Sequence, residues 1–257
     1  MDSTIESAQC PVRPLKINRI IVSPPFGTYL NFKQITPVIG TFTYQRRPGL
    51  YRQALKTFRL YEGGYINKIG LRNKGLPNLV PNAKAARSIL SIASLNTGEW
   101  GLLAQTLAQL KAQYGYHPLA LELNLSCPNV NEKLMITPEE LRLFSAFDVI
   151  LKLPPTDKCL DYIAMATANG VNHFHLCNTL PTPKGGVSGR LLKAVSLSYV
   201  KEAKAHFGDK ISVVGGGGIY TIDDAKAYLD AGADYLSLAS VAFNPRQFYN
   251  ILRYPEQ

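Results

Sequence analysis

Leu119-Ala120-Leu121-Glu122-Leu123-Asn124-Leu125-Ser126-Cys127-Pro128-Asn129 decides how the rest of the chain is read. Leu119 to Leu125 is an apolar run of strand length, preceded by Pro118. It passes directly into a polar loop in which two carboxamides, a hydroxyl and a thiol fall between Asn124 and Asn129, with Pro128 stiffening the exit. An Asn side chain donates and accepts through one planar amide. Two such amides flanking a thiol can grip a flat, amide-rich ligand while the thiol moves a proton. The same residues also suit a plain strand-to-loop turn in which Asn satisfies backbone groups. Loops that follow strands are frequent carriers of function, which keeps chemistry in view here.

Working outward, the same strand-then-helix unit recurs. Upstream lie short β-branched or apolar runs at 19–23, 38–41 and 88–93; downstream they lie at 148–153, 173–176, 211–214 and 235–238. Between them, helical signals cover a short stretch at 28–35, then 99–114 with Leu102, Leu103, Leu107 and Leu110 on one face, and 157–169 closed by Gly170. Further helices are expected at 191–207, 221–231 and 244–254. Thr137-Pro138-Glu139-Glu140 is a helix start with its cap, its proline and its first-turn acids, and Thr221 caps another. Eight alternations imply parallel pairing with right-handed crossovers. At 257 residues the chain is close to the roughly 250 typical of a closed barrel. The expected fold class is α/β, a (β/α)8 TIM barrel forming one domain over 1–257, with 1–17 as an N-terminal extension. Tyr61 to Asn78 reads as a packed but irregular loop, and Gly185 to Gly189 as a flexible one able to lie flat on a ligand.

Composition narrows the functional classes. Hydrophobic residues make up 46% of the chain, which excludes disorder. No apolar run reaches the roughly 18 residues needed to span a bilayer, and Met1 to Pro14 lacks the apolar core of a signal peptide, so a soluble cytoplasmic protein with no membrane partner is expected. Cys10, Cys127, Cys159 and Cys177 are widely spaced without a Cys-x-x-Cys pair, so no metal site is expected. The net charge is +10, with the densest basic cluster at Arg46, Arg47, Arg52, Lys56 and Arg59. A solvated basic face is the reading adopted, and nucleic acid is not an expected partner.

In such barrels the reactive groups lie at the carboxyl ends of the strands. Asn124, Cys127 and Asn129 follow the fourth strand, Lys152 ends the fifth, Asn178 and Thr179 follow the sixth, Gly215 to Gly218 the seventh, and Ala239-Ser240 the eighth. A four-glycine run lets backbone N–H groups approach an anion, and a phosphate seat after strands seven and eight is a recurrent barrel feature. Lys152, between Leu151 and Leu153, needs either an ion pair or an anionic ligand. His173 and His175 share one strand face and read as core or pocket-lining, Glu122 as a paired barrel residue, Trp100 as packing, and Cys10, Cys159 and Cys177 as small hydrophobes.

Asn-Leu-Ser-Cys-Pro-Asn at 124–129, Leu-Lys-Leu-Pro-Pro at 151–155, Cys-Asn-Thr at 177–179, Gly-Gly-Val-Ser-Gly at 185–189 and Gly-Gly-Gly-Gly-Ile at 215–219 occur in an order that resembles the dihydroorotate dehydrogenase family, class 1-like, over nearly all the chain from Ile20. The resemblance implies an FMN-dependent barrel that oxidises dihydroorotate to orotate in pyrimidine biosynthesis. It implies Cys127 as the base taking a proton from the substrate, and Asn67, Asn124, Asn129, Asn178 and Thr179 around the pyrimidine. On the cofactor side it implies Gly27, Thr41, Asn124, Lys152, Asn178, Gly189, Gly217, Gly218, Ala239 and Ser240. A small dihydroorotate- or orotate-like substrate is the expected partner, and a homodimer is compatible with the reading. The electron acceptor and any partner subunit are not readable. The chain departs from the pattern in lacking the family's lysine after the first or second strand, and in having only Leu180 to Lys184 where a longer cover is usual. Two alternatives follow: a flavin barrel acting on another dihydropyrimidine, as dihydrouridine synthases do, or a non-catalytic homologue that keeps the ligand pocket.

Overall fold

The computed structural model describes residues 12–125, 136–154, 156–177 and 179–254. Eight strands close a parallel barrel: β1 (Ile20–Val22), β2 (Ile35–Phe42), β5 (Ile89–Ile92), β6 (Ala120–Asn124), β7 (Val149–Leu153), β8 (His173–Leu176), β11 (Ser212–Gly216) and β12 (Tyr235–Leu238). Every barrel strand pairs in parallel with its neighbours, and β1 on β12 closes the ring. The eight runs identified in the sequence are these eight strands, which makes the fold a (β/α)8 barrel.

Strand alternation sorts the side chains into layers. Ile21, Val38, Ile89, Ala120, Ile150, Val214 and Tyr235 form an inner apolar plug, sealed below by Leu15. The Tyr235 hydroxyl accepts a hydrogen bond from the Leu15 backbone at 2.9 Å. The outward residues, among them Leu121, Leu123, Leu151 and Phe174, pack under the helices in the larger core. One residue further along the inward rows, toward the carboxyl ends, the layer turns polar with Ser23, Ser91, Glu122, Lys152, His175 and Ser237, all buried.

The helices are α1 (Phe26–Tyr29), α2 (Leu50–Thr57), α3 (Ala83–Ala86), α4 (Glu99–Tyr114), α5 (Pro138–Arg142), α6 (Cys159–Ala168), α7 (Lys193–Phe207), α8 (Ile222–Asp230) and α9 (Pro245–Arg253). Thr137 and Thr221 each close a reciprocal capping box, with Glu140 and Asp224. Gly170 takes φ +83° after α6, as its position predicted. Trp100 is buried on α4, edge-on to Phe144 at 5.9 Å.

Three expectations need correction. Gly185 to Gly189 is not a flexible loop but strand β10 (Gly185–Gly189), and Tyr61 to Asn78 contains strand β4 (Gly64–Asn67). With β3 (Arg59–Tyr61) and β9 (Leu180–Thr182) they form an antiparallel sheet in the order β3-β4-β10-β9. The glycines serve close pairing rather than freedom: a Cβ on Gly189 would stand 2.7 Å from the Gly64 Cα. The helix expected at 28–35 is a single turn, α1, because the chain is already extended from Ile35, three residues before the expected start of the second strand.

Candidate active site

The carboxyl ends of the barrel open into a cavity of about 560 Å³, within the usual range for small-molecule sites. β1, β7, β11 and β12 supply Ser23, Lys152, Gly217, Gly218, Ser237, Ala239 and Ser240. The small antiparallel sheet supplies Asn67, Ser188 and Gly189 from the other side, and Cys177 and Thr179 line it after β8. Most of the remaining wall is apolar. Phe243 is the hub of an aromatic cluster there, 4.8 Å from Phe26, 5.4 Å from Phe58 and 4.9 Å from Tyr65 between ring centres. Tyr29, Ala54 and Leu55 reach the same cavity from α1 and α2.

Of the residues singled out in the sequence, Asn67, Lys152, Thr179, Gly189, Gly217, Gly218, Ala239 and Ser240 are brought together around this one space. Gly27 stands behind its wall, where α1 crosses the ends of β1 and β2; a Cβ there would come 2.7 Å from the Val38 backbone nitrogen. Thr41 is buried below, bonded to Ser91 at 2.9 Å and to the Asn124 amide at 3.0 Å. Cys127, Asn129 and Asn178 lie outside the described residues.

The glycine run divides its labour. Gly215 and Gly216 are strand residues whose added Cβ atoms would meet Tyr228 and Ser237 side chains. Gly217 and Gly218 turn at φ +104° and +73°, and edge the cavity. The Tyr228 hydroxyl lies within hydrogen-bond distance of both the Gly216 carbonyl, at 2.9 Å, and the Gly217 carbonyl, at 2.7 Å, holding the turn from outside. The edge that faces the cavity is therefore bare backbone, joined there by Gly189 and by Ala239-Ser240.

Charge in the polar layer is arranged around one carboxylate. Glu122 accepts from His175 Nδ1 and from Ser91 Oγ, each at 2.7 Å. Burial alone would raise its pKa, but the charge of Lys152 and the hydrogen bonds from His175 and Ser91 overcome that and hold it at about 2. His175 is shifted down, by burial first and by the Lys152 charge second, against the pull of Glu122. The pair is thus a carboxylate and a neutral imidazole at neutral pH. Among the described residues Lys152 makes no ion pair; it reaches the cavity, and Glu122 acts on it through space. Cys177 is pushed up to about 11 by burial, so its thiol stays protonated. The serines of the polar layer, Ser23, Ser91 and Ser237, were missed in the sequence, although Lys152, Glu122 and His175 were singled out and lie on the same inward rows.

The family model for dihydroorotate dehydrogenase matches residues 28–253. The chain belongs to the dihydroorotate dehydrogenase family. It is 31% identical to the catalytic subunit of dihydroorotate dehydrogenase B (NAD(+)) from Endomicrobium trichonymphae, over 69% of this chain and 65% of that one, so just under two thirds of that relative's length is spanned. The corresponding catalytic subunit from Thermodesulfovibrio yellowstonii is 29% identical over 91% of this chain and 89% of its own. Among solved structures, ligand-free dihydroorotate dehydrogenase from Eimeria tenella superposes with a TM-score of 0.66 at 19% identity, covering 91% of this chain and 82% of the other. That likeness confirms the barrel. Among the described residues, no helix is long and apolar enough to cross a membrane.

Proposed function

We propose that the cavity binds FMN and that the chain oxidises dihydroorotate to orotate, a step of pyrimidine biosynthesis, in the cytoplasm. The observation that carries this reading is the convergence on one cavity of a buried lysine that makes no ion pair among the described residues and of the glycines Gly189, Gly217 and Gly218. Such a space fits a ligand with a flat, electron-rich ring at one end and a phosphate at the other. Gly189, Gly217, Gly218, Ala239 and Ser240 would hold the phosphate through backbone N–H groups. Lys152 would place its charge beside the ring, with Thr41, Asn124 and Asn178 near it and Gly27 behind the wall. When bound, FMN supplies the hydride acceptor that the protein lacks.

The chain's own residues supply the rest. Asn67, Asn124, Asn129, Asn178 and Thr179 offer the donors and acceptors that a dihydropyrimidine ring and its carboxylate require. Cys127 is assigned the base. Its thiolate takes the proton from C5 as a hydride leaves C6, and the C5–C6 double bond forms. A reference thiol pKa of about 8.5 suits that task if modestly lowered. The aromatic cluster around Phe243 and the small sheet would cover one side of the ligand.

A second reading rests on a specific observation: Lys152 is the only cation among the described residues lining the cavity. With Thr41 committed to hydroxyl and amide partners, no side chain there replaces the missing lysine. This favours a homologue that binds flavin but turns over slowly or not at all. One experiment separates the two. The absorption spectrum of the purified protein is recorded with FMN, before and after anaerobic addition of dihydroorotate. Bleaching of the flavin band, slowed strongly in Cys127→Ala, supports oxidation. A flavin band that stays unbleached leaves the binding reading, and no FMN uptake overturns both.

A further inference from the structure

Below the cavity, hydrogen-bond donors run in one direction. Glu122 Oε2 accepts from His175 Nδ1, and Oε1 from Ser91 Oγ. The Ser91 and Thr41 hydroxyl oxygens are 2.9 Å apart, and Asn124 Nδ2 lies 3.0 Å from Thr41 Oγ1. An ionised carboxylate has acceptors and no donor, so it can only end such a chain. Ser91 has one proton and gives it to Glu122. Thr41 must then give its proton to Ser91, and its own oxygen is left to accept from the Asn124 amide. The direction is therefore set from the carboxylate outward, through β5 and β2, and back to the end of β6. Asn124 sits there in register with Lys152, the cavity's lysine.

The other arm is set in the same way. Glu122 cannot donate, so His175 carries its proton on Nδ1, and Nε2 is a bare acceptor. That nitrogen is buried and has no partner among the described residues. A neutral ring accepted with one nitrogen unsatisfied is costly if the pair serves packing alone. The members of the relay are all buried except Asn124, which is half-buried.

We propose that Glu122 and His175 are a positioning pair. His175 fixes the Glu122 carboxylate, the carboxylate polarises the Ser91–Thr41 relay, and the relay fixes which way the Asn124 carboxamide is turned at the ligand site. Neither residue touches substrate or cofactor; both act through Asn124. The inference rests on the functional reading only in taking Asn124 as facing the ligand.

Three substitutions separate this from a purely structural hydrogen-bonded pair. Glu122→Gln keeps the shape and removes the charge. His175→Leu removes the donor. His175→Asn retains an N–H where Nδ1 stands. The readouts are the side-chain amide signals of Asn124 and the ring nitrogens of His175 by NMR of the apoprotein, and FMN affinity by quenching of flavin fluorescence. The wild type should show His175 as the Nδ1–H tautomer. Glu122→Gln and His175→Leu should both shift the Asn124 signals and weaken FMN binding about tenfold, the scale of one charge-assisted hydrogen bond. His175→Asn should restore the signals and the affinity to within about twofold while His175→Leu remains folded by circular dichroism. An Nε2–H tautomer, an Asn124 signal unmoved by Glu122→Gln, or equal behaviour of His175→Asn and His175→Leu would overturn the proposal. If the wild type takes up no FMN, the functional reading fails, and the tautomer and Asn124 signals still decide this one.

Discussion

Gly217→Ala tests the account of the glycine edge. Gly217 stands at φ +104°, and its added Cβ would lie 2.6 Å from Ser196 Oγ and 3.2 Å from both the Ser196 and Leu192 Cβ atoms. Two costs add. A left-handed backbone costs an L residue about 1–2 kcal/mol. Overpacking against atoms one bond from the helix backbone costs about 1–3 kcal/mol, because Ser196 can turn its hydroxyl away but its Cβ cannot follow. The sum is about 3 kcal/mol, or a fall in Tm of about 6–12 °C for a chain of this size. Gly98→Ala is the matched control: φ is +84° and nothing lies within 4 Å, so only the backbone cost applies. Urea unfolding followed by circular dichroism measures both. FMN titration should show a loss for Gly217→Ala and none for Gly98→Ala. If the two variants unfold at the same midpoint, the close packing of α7 behind the turn contributes nothing, and the reasoning is refuted.

Three further outcomes are expected. Glu122 is depressed from an ordinary value of about 4.5 to about 2, so its contribution to stability is complete above pH 4.5 and is lost as pH falls toward 2; the acid limb of a stability-against-pH curve should flatten in Glu122→Gln. Burial raises the Cys159 thiol to about 12 and the Cys177 thiol to about 11, so neither should react with iodoacetamide at pH 8 until urea unfolds the chain, as followed by peptide mass spectrometry. Thr221→Ala removes the acceptor that caps Asp224 N at 3.1 Å and should cost about 1 kcal/mol in urea unfolding, while Thr221→Ser should cost little.

The barrel was legible because its signals are local. Each strand holds a short apolar run, and helix starts such as Thr137-Pro138 and Thr221 announce themselves within four residues. The cavity residues were legible for a related reason: strand ends are where a barrel places its chemistry, so Lys152, Gly217, Gly218 and Ser240 could be located once the strands were. The small sheet was not. Gly64 to Asn67 and Gly185 to Gly189 carry glycines that normally mark loops, and only pairing between distant segments makes strands of them. The relay was hidden similarly. Ser91 is unremarkable in sequence, Thr41 was marked only for the cofactor side, and their link appears only when β2, β5 and β6 stand side by side.

The cover over the cavity unites the two halves of the chain. Ser188 Oγ reaches the Tyr65 carbonyl at 3.3 Å across a separation of 123 residues. Such a contact gains nothing until the intervening barrel strands have brought its ends together, since closing so long a loop costs entropy in advance. Asn67 and Gly189, both on the cavity wall, belong to this late-assembled layer. A nascent or half-folded chain would therefore possess strand ends and their reactive side chains without a roof over them. The finished pocket comes into being only when β4 and β10, more than a hundred residues apart, have met.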